Sequence, residues 1–174
     1  MTDPDFDAQP VPVPGVYRVD PQASTVRFAI RAFWLFPVRG TFAVDNGEIV
    51  IAEDVAESSV TAVLRADSFV SGHARRDEHV RSADYLDVAA YPEIGFHSHR
   101  VEQPADGPAV VHGELTVHGA TRPATLHLDT VVAEERRLVV RATAAVDRYA
   151  FGVTHAKGFT GRRLAVVLDV VATR

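Results

Sequence analysis

Apolar and polar residues alternate along most of this chain. From Ser24 onward Val26, Phe28, Ile30 and Ala32 fall on one face, while Thr25, Arg27, Ala29 and Arg31 fall on the other. A period of two is that of a half-buried strand, with one side against a core and the other in water. Val38, Gly40, Phe42 and Val44 repeat the pattern as far as Asn46-Gly47. That dipeptide tolerates positive φ at both positions, so it predicts a hairpin with Ile49 and Ile51 on the returning strand. Val60, Ala62, Leu64 and Ala66 share a face of a strand predicted from Ser58 to about Phe69.

The alternation resumes after Pro92, where Ile94 and Phe96 oppose His97 and His99. Val111, Gly113, Leu115 and Val117 oppose His112, Glu114 and Thr116; Leu126 and Leu128 oppose His127 and Asp129. Gly119 to Pro123 predict a turn between these two strands. Leu138, Val140, Ala142, Ala144 and Val146 then oppose Arg141, Thr143 and Asp147, and the last strand carries Leu164, Val166, Leu168, Val170 and Ala172.

One stretch, Ser71 to Ser98, interrupts the strands. Asp77 stands four residues before Arg81, the spacing at which opposite charges meet on a helix surface. It predicts a short helical segment near residues 73–90, a second turn near Asp84, and a new strand from about Glu93, because Pro92 cannot sit inside a helix.

Roughly eight to ten short strands with no regular helix between them predict an all-β, antiparallel sandwich or barrel. Closure into a barrel removes the exposed edges that long alternating strands would otherwise leave. A barrel of about eight strands either packs solid or holds one small ligand. The inward face mixes Phe28, Phe42, Phe96, Leu115, Leu126 and Leu168 with Gly40, Ala62, Ala66, Gly113, Ala142 and Ala144. Small residues facing large ones fill a taper; small residues clustered together leave a dry apolar cavity. The residues alone leave that choice open.

Composition narrows the functional classes. A chain of 174 residues makes one domain, and the absence of cysteine excludes disulfides, thiol nucleophiles and cysteine metal sites. Residues 1–14 read as a flexible proline-rich lead with neither a basic start nor an apolar run. They are expected not to be a signal peptide, and the protein is expected in the cytoplasm. No stretch is long and apolar enough to predict a membrane span. A net charge of −5 argues against nucleic acid as a partner and against electrostatic docking on anionic lipid.

Three constellations carry candidate chemistry. Phe33-Trp34-Leu35-Phe36 cannot all enter one core, so the run reads as a strand end buried under another element, a homodimer contact or a greasy rim at a barrel mouth. His97-Ser98-His99, with His112, has spacing for a three-histidine zinc site, but these rings lie opposite the apolar stripe, so no metal is expected. Arg75, Arg76, Asp77, His79, Arg81 and Asp84 fit an ion-pair network that fixes the helix. They also fit acid/base catalysis if buried, or a grip on a lipid phosphate by Arg76 or Arg81.

The runs ARRDEHVRSADYLDVAAYPEIGFHS, GELTVHGATRPATL and DRYAFGV, in that order, resemble the YceI-like family from about Gly15 to the C-terminus. The resemblance implies a single closed lipocalin-like β-barrel over residues 15–174 that holds a polyisoprenoid or similar long-chain lipid, with no catalytic residues and no cofactor besides the lipid. On that basis the expected ligand-binding set is Val26, Phe28, Ile30, Phe42, Val44, Leu64, Phe96, Leu115, Val117, Leu126, Leu128, Val140, Phe151, Leu164, Val166 and Leu168. Phe33, Trp34 and Phe36 are expected at the mouth, and Arg76 and Arg81 at the head group. Close relatives often carry a histidine near Arg31 or Ala32; this chain does not.

Overall fold

A computed structural model of the chain describes residues 11–174. The first ten residues of the proline-rich lead, and the expectation attached to them, lie outside the described residues. The strands are β1 (Gly15–Val19), β2 (Thr25–Ala32), β3 (Phe36–Phe42), β4 (Val44–Ile51), β5 (Ser59–Arg65), β6 (Glu93–Glu102), β7 (Val110–Val117), β8 (Ala120–Ala133), β9 (Arg137–Asp147) and β10 (Arg163–Thr173). The one α-helix among the described residues is α1 (Ala74–Arg81).

Ten segments make eight walls. From β4 to β10 each strand is hydrogen-bonded to the next in the order β4-β5-β6-β7-β8-β9-β10, all antiparallel. The remaining edge of β10 is shared: β1 takes Thr173 and Ala172, and β2 takes Asp169 to Ala165. β1 and β2 are therefore halves of one wall, broken where Asp20 Oδ1 accepts the N–H groups of Gln22 (2.9 Å) and Ala23 (3.2 Å). β4 and β3 form the adjoining wall, broken at Ala43, and β4 pairs with both β1 and β5. The barrel is closed, eight-stranded and antiparallel, as the edge argument and the family resemblance together predict.

Three local expectations are corrected. Asn46-Gly47 lies inside β4, opposite Val63 and Ala62, beside a bulge between Val44 and Asn46. Its glycine serves close approach instead of a turn: a Cβ there would come within 2.9 Å of a Val19 methyl. The hairpin forms instead at Phe33-Trp34, whose φ values of 49° and 65° are both positive, with the Leu35 N–H donating to the Ala32 carbonyl. The turn expected at Gly119–Pro123 is tighter: His118 and Gly119 (φ 52° and 72°) connect paired Val117 and Ala120, while Thr121 to Pro123 continue in β8. Gly119 is required twice over, because a Cβ there would also lie 2.5 Å from the Tyr91 ring. The third correction is one of length. β5 ends at Arg65 and is followed by a 3₁₀ turn, Ala66–Ser68, and only Ala74–Arg81 of the interrupting segment is α-helix.

The connections define two ends. The β2–β3 turn, α1, the β7–β8 turn and the β9–β10 connection lie at one, called here the helix end. At the other, Tyr17, Ile49, Ala133, Leu138 and Ala172 form a buried base, and the Tyr17 hydroxyl donates to the Val13 carbonyl (2.8 Å). Fully burying side chains such as Leu138 contributes roughly 1.5–3 kcal/mol each. The base thus holds the seam where β1 meets β10.

Helix α1 is fixed by a polar network, not by a surface ion pair. His73 caps it, Nδ1 accepting the Arg76 N–H (3.3 Å). The Asp77 carboxylate is buried and accepts both the N–H (3.0 Å) and the hydroxyl of Ser71; Ser71 Oγ in turn accepts from Arg76 Nε (2.8 Å). Burial pushes the Asp77 carboxyl up, but the two Ser71 hydrogen bonds and the nearby Arg81 and Arg76 charges outweigh it and hold the group below its ordinary value. A carboxyl with a lowered folded-state pKa stabilises the fold above the ordinary value, about 3.9, and loses that contribution as pH falls through the lowered one. Asp77→Asn should cost about 1–2 kcal/mol at neutral pH and flatten the acid side of the stability profile. Urea unfolding midpoints near pH 7 and near pH 3 would check this; equal losses at both would refute the charge argument.

Candidate ligand-binding cavity

The inward faces do not fill the barrel. A cavity of about 1110 Å³ runs from the base to the helix end, larger than the roughly 300–1,000 Å³ usual for small-molecule sites. Its walls are the alternating residues of the strands: Val26, Phe28 and Ile30 from β2, Phe42 from β3, Val44 from β4, Leu64 from β5 and Phe96 from β6. Leu115, Val117, Leu126, Leu128, Val140, Leu164, Val166 and Leu168 continue around the circuit, and Phe151 closes in from the β9–β10 connection. Ala62, Ala142 and Ala144 also line it and leave space open on opposite walls, whereas Gly113 lies under the Phe96 ring. At the helix end the rings of Phe28, Phe42 and Phe69 gather with centroids 5.1–5.6 Å apart. Phe28 fits because it lies against Gly40, where a Cβ would come within 2.5 Å of the ring.

Four expected contacts fall elsewhere. Phe33, Trp34 and Phe36 are not part of the lining, because the β2–β3 hairpin extends past the barrel wall and leaves them in solvent. Arg81 also turns away from the cavity: its guanidinium donates to the Phe69 carbonyl, and its Nε is buried without a partner. Arg76 does line the cavity, with Nε and one Nη held by Ser71.

Alternation could not point to several lining residues. Phe69, Val80, Tyr85 and Leu86 come from the interrupting segment, and Arg148 from the 3₁₀ turn Arg148–Phe151. Arg148 is a buried cation with no carboxylate partner among the described residues. It donates instead to the carbonyls of Gly161 (2.8 Å), Val153 (2.9 Å), His155 (2.9 Å) and Thr160 (3.1 Å). The DRYAFGV run carries Arg148, but nothing in a strand period distinguishes it from an exposed arginine. Asp147 and Arg162 close the same connection at its base with a hydrogen bond of 2.6 Å, which holds the Asp147 carboxyl below its ordinary value.

The cavity is apolar along its length and charged at its ends. Arg76, His79 and Arg148 stand at the helix end; Glu53 and Asp129, with Gln103, stand at the base end. Val11, Pro12 and Pro14 also line the base end. His97 and His99 are exposed on the outer face, and His112 is bonded to Glu102 (2.9 Å), so these histidines do not converge. A different set does: His79, Asp84 and His155 bring three ligand atoms within 4.8 Å of one another. A hydrogen bond from His79 to Asp84 (2.8 Å) and ring contacts among His79, Tyr85 and His155 account for that closeness and clasp α1 to the β9–β10 connection.

The YceI-like domain model matches residues 17–172, nearly the whole barrel. The chain belongs to the YceI-like family. Among this YceI-like protein's curated relatives, a UPF0312 protein of Vibrio campbellii is 33% identical over 111 residues, covering 63% of this chain and 59% of the relative. A UPF0312 protein of Pseudomonas putida is 42% identical over 89 residues, covering 51% of this chain and 46% of the relative. The matches thus span about half the length of these relatives. Burkholderia cenocepacia BcnA superposes with a TM-score of 0.79 at 21% identity, over 89% of this chain and 99% of that one. A polyisoprenoid binding domain from Saccharophagus degradans, implicated in plant cell wall breakdown, superposes with a TM-score of 0.68 at 15% identity, over 90% and 97%. At these identities the superpositions establish a shared barrel. None of the described helices is long and apolar enough to cross a membrane.

Proposed function

We propose that this YceI-like barrel is a non-enzymatic carrier or store of a polyisoprenoid or similar long-chain amphiphile, such as an isoprenoid quinone or fatty acid amide. The observation that carries the reading is the 1110 Å³ apolar cavity. Each buried methylene contributes about 0.8 kcal/mol, so a long tail needs few polar contacts to bind well. The description of the Saccharophagus neighbour as polyisoprenoid-binding supports the same class. The polar head lies at the helix end, where Arg76 presents the guanidinium edge that Ser71 leaves free and Arg148 adds a second positive charge. No cofactor takes part, because binding itself is the activity.

Native mass spectrometry of protein purified from its own host, before and after organic extraction, tests the reading. The expected result is an added mass that leaves with the solvent and fragments as a prenyl or long-chain lipid. A bare chain mass, with no uptake of added polyprenyl lipid, would overturn it. Arg76→Ala should weaken a phosphorylated polyprenol by about tenfold, the loss of a charge-assisted hydrogen bond of roughly 1.5 kcal/mol, and leave the uncharged alcohol unaffected.

A further inference from the structure

The hairpin that leaves the barrel wall presents an unusual surface. Phe33, Trp34, Leu35 and Phe36 are 62%, 79%, 73% and 64% exposed, and Phe159 beside them is 63% exposed. The Phe33 and Phe159 rings meet edge to face with centroids 6.1 Å apart. The Phe33 N–H donates to the Phe159 carbonyl, the Gly161 N–H donates to the Arg31 carbonyl (2.7 Å), and Ala32 bridges to Thr160. Hairpin and β9–β10 connection are therefore one surface. Its turn holds two aromatic residues at positive φ, a conformation that opposes their side chains, and returns no burial within the molecule.

The two segments that build it carry charge of one sign. Residues 21–44 contain Arg27, Arg31 and Arg39, residues 148–168 contain Arg148, Lys157, Arg162 and Arg163, and neither segment contains a single Asp or Glu. Arg27 and Arg162 are paired to Asp169 and Asp147, and Arg148 is buried. Arg31, Arg39, Lys157 and Arg163 are exposed and form no ion pair among the described residues. The net charge of −5 thus conceals two cationic segments that flank the hairpin, contrary to what the total predicts for anionic lipid; the acids of this end, Glu78, Asp84 and Asp87, belong to the α1 segment.

We infer that this surface docks the barrel on an anionic lipid bilayer, with the Phe33–Phe36 turn and Phe159 entering the interfacial layer and Arg31, Arg39, Lys157 and Arg163 resting on the headgroups. Aromatic side chains, tryptophan above all, favour that layer, and cations beside an anionic leaflet add attraction. A second copy of the chain fits poorly, because a two-fold contact would set the same cations against themselves. Ala32 and Thr160 line the cavity while their neighbours Phe33 and Phe159 form the surface, so docking brings the helix end of the lumen to the membrane.

Trp34 is the chain's one tryptophan, so its fluorescence reports this site alone. With vesicles of equimolar phosphatidylglycerol and phosphatidylcholine, Trp34 emission should shift to the blue and the protein should sediment with the vesicles; pure phosphatidylcholine should bind weakly. Arg31→Glu with Lys157→Glu should reduce binding about thirtyfold or more, since each cation near the surface is worth roughly fivefold. Leu35→Ser with Phe36→Ser should abolish the blue shift, with far-UV circular dichroism confirming the barrel in both variants. Absence of binding to the anionic vesicles, or binding indifferent to both double variants, would overturn the inference. So would a dimer that the Leu35/Phe36 variant converts to monomer without any change in vesicle binding.

Discussion

Ala142→Trp should empty the barrel of ligand without unfolding it. Ala142 lies on the inner face of β9 between Leu128 and Leu168 and lines the cavity midway along its wall. An indole there occupies space that a tail would fill. Displacing about four methylenes at ~0.8 kcal/mol each removes about 3 kcal/mol, on the order of 100-fold in affinity. The enlarged side chain enters a void, so the unfolding free energy from urea titration should stay within about 1 kcal/mol of the parent. Ala62→Trp, from β5 on the opposite wall, should do the same. Undiminished uptake of polyprenyl lipid by both variants, measured by native mass spectrometry, would place the ligand outside the lumen.

Replacing Arg148 should have the largest effect on stability. Its guanidinium satisfies four carbonyls from Val153 to Gly161, and no other side chain among the described residues reaches them. Arg148→Met leaves those acceptors to find water and should destabilise the fold by about 3 kcal/mol or more. Arg148→Lys should rescue little, since one ammonium cannot reproduce a planar fork of donors. Hydrogen exchange should localise the loss: the amides of Val153, Phe159, Thr160 and Gly161 should lose protection while those of β6 and β7 keep it. Unchanged protection across residues 153–161 would show that the connection holds itself.

These residues also mark where sequence reading succeeds and stops. The cavity wall was legible because a strand's period of two assigns every second residue to one side, and fifteen of the expected residues line the lumen for that reason; Phe151 lines it from a 3₁₀ turn instead. Closure was legible from the need to remove edges taken together with the family resemblance; the strand period alone fits a sandwich as well. The hairpin position was not: Asn46-Gly47 has the right local chemistry, but barrel register overrides it and sends the turn to Phe33-Trp34, which local propensity disfavours. Arg81 and Asp77 misled for a related reason. Their spacing fits an exposed helix pair, but the helix face that carries them lies against the Phe69–Ser71 segment, where Ser71 and the Phe69 carbonyl compete for them. Arg148 was invisible as a buried group because its partners are backbone carbonyls, which carry no sequence signature.

The seam between β1 and β10 has a consequence for how the protein is made. From β4 to β10 each strand pairs with its neighbour in sequence, contacts that need only modest chain closure, whereas Arg18 meets Thr173 and Val19 meets Ala172 across most of the chain. Contacts of such long separation form slowly and only after the intervening hairpins have shortened the effective loop. A ribosome-bound chain still lacking β10 is an open, curved sheet with its apolar concave face uncovered. The container therefore comes into being in the last step of folding, and until then its future lumen is a surface that other nascent chains can stick to.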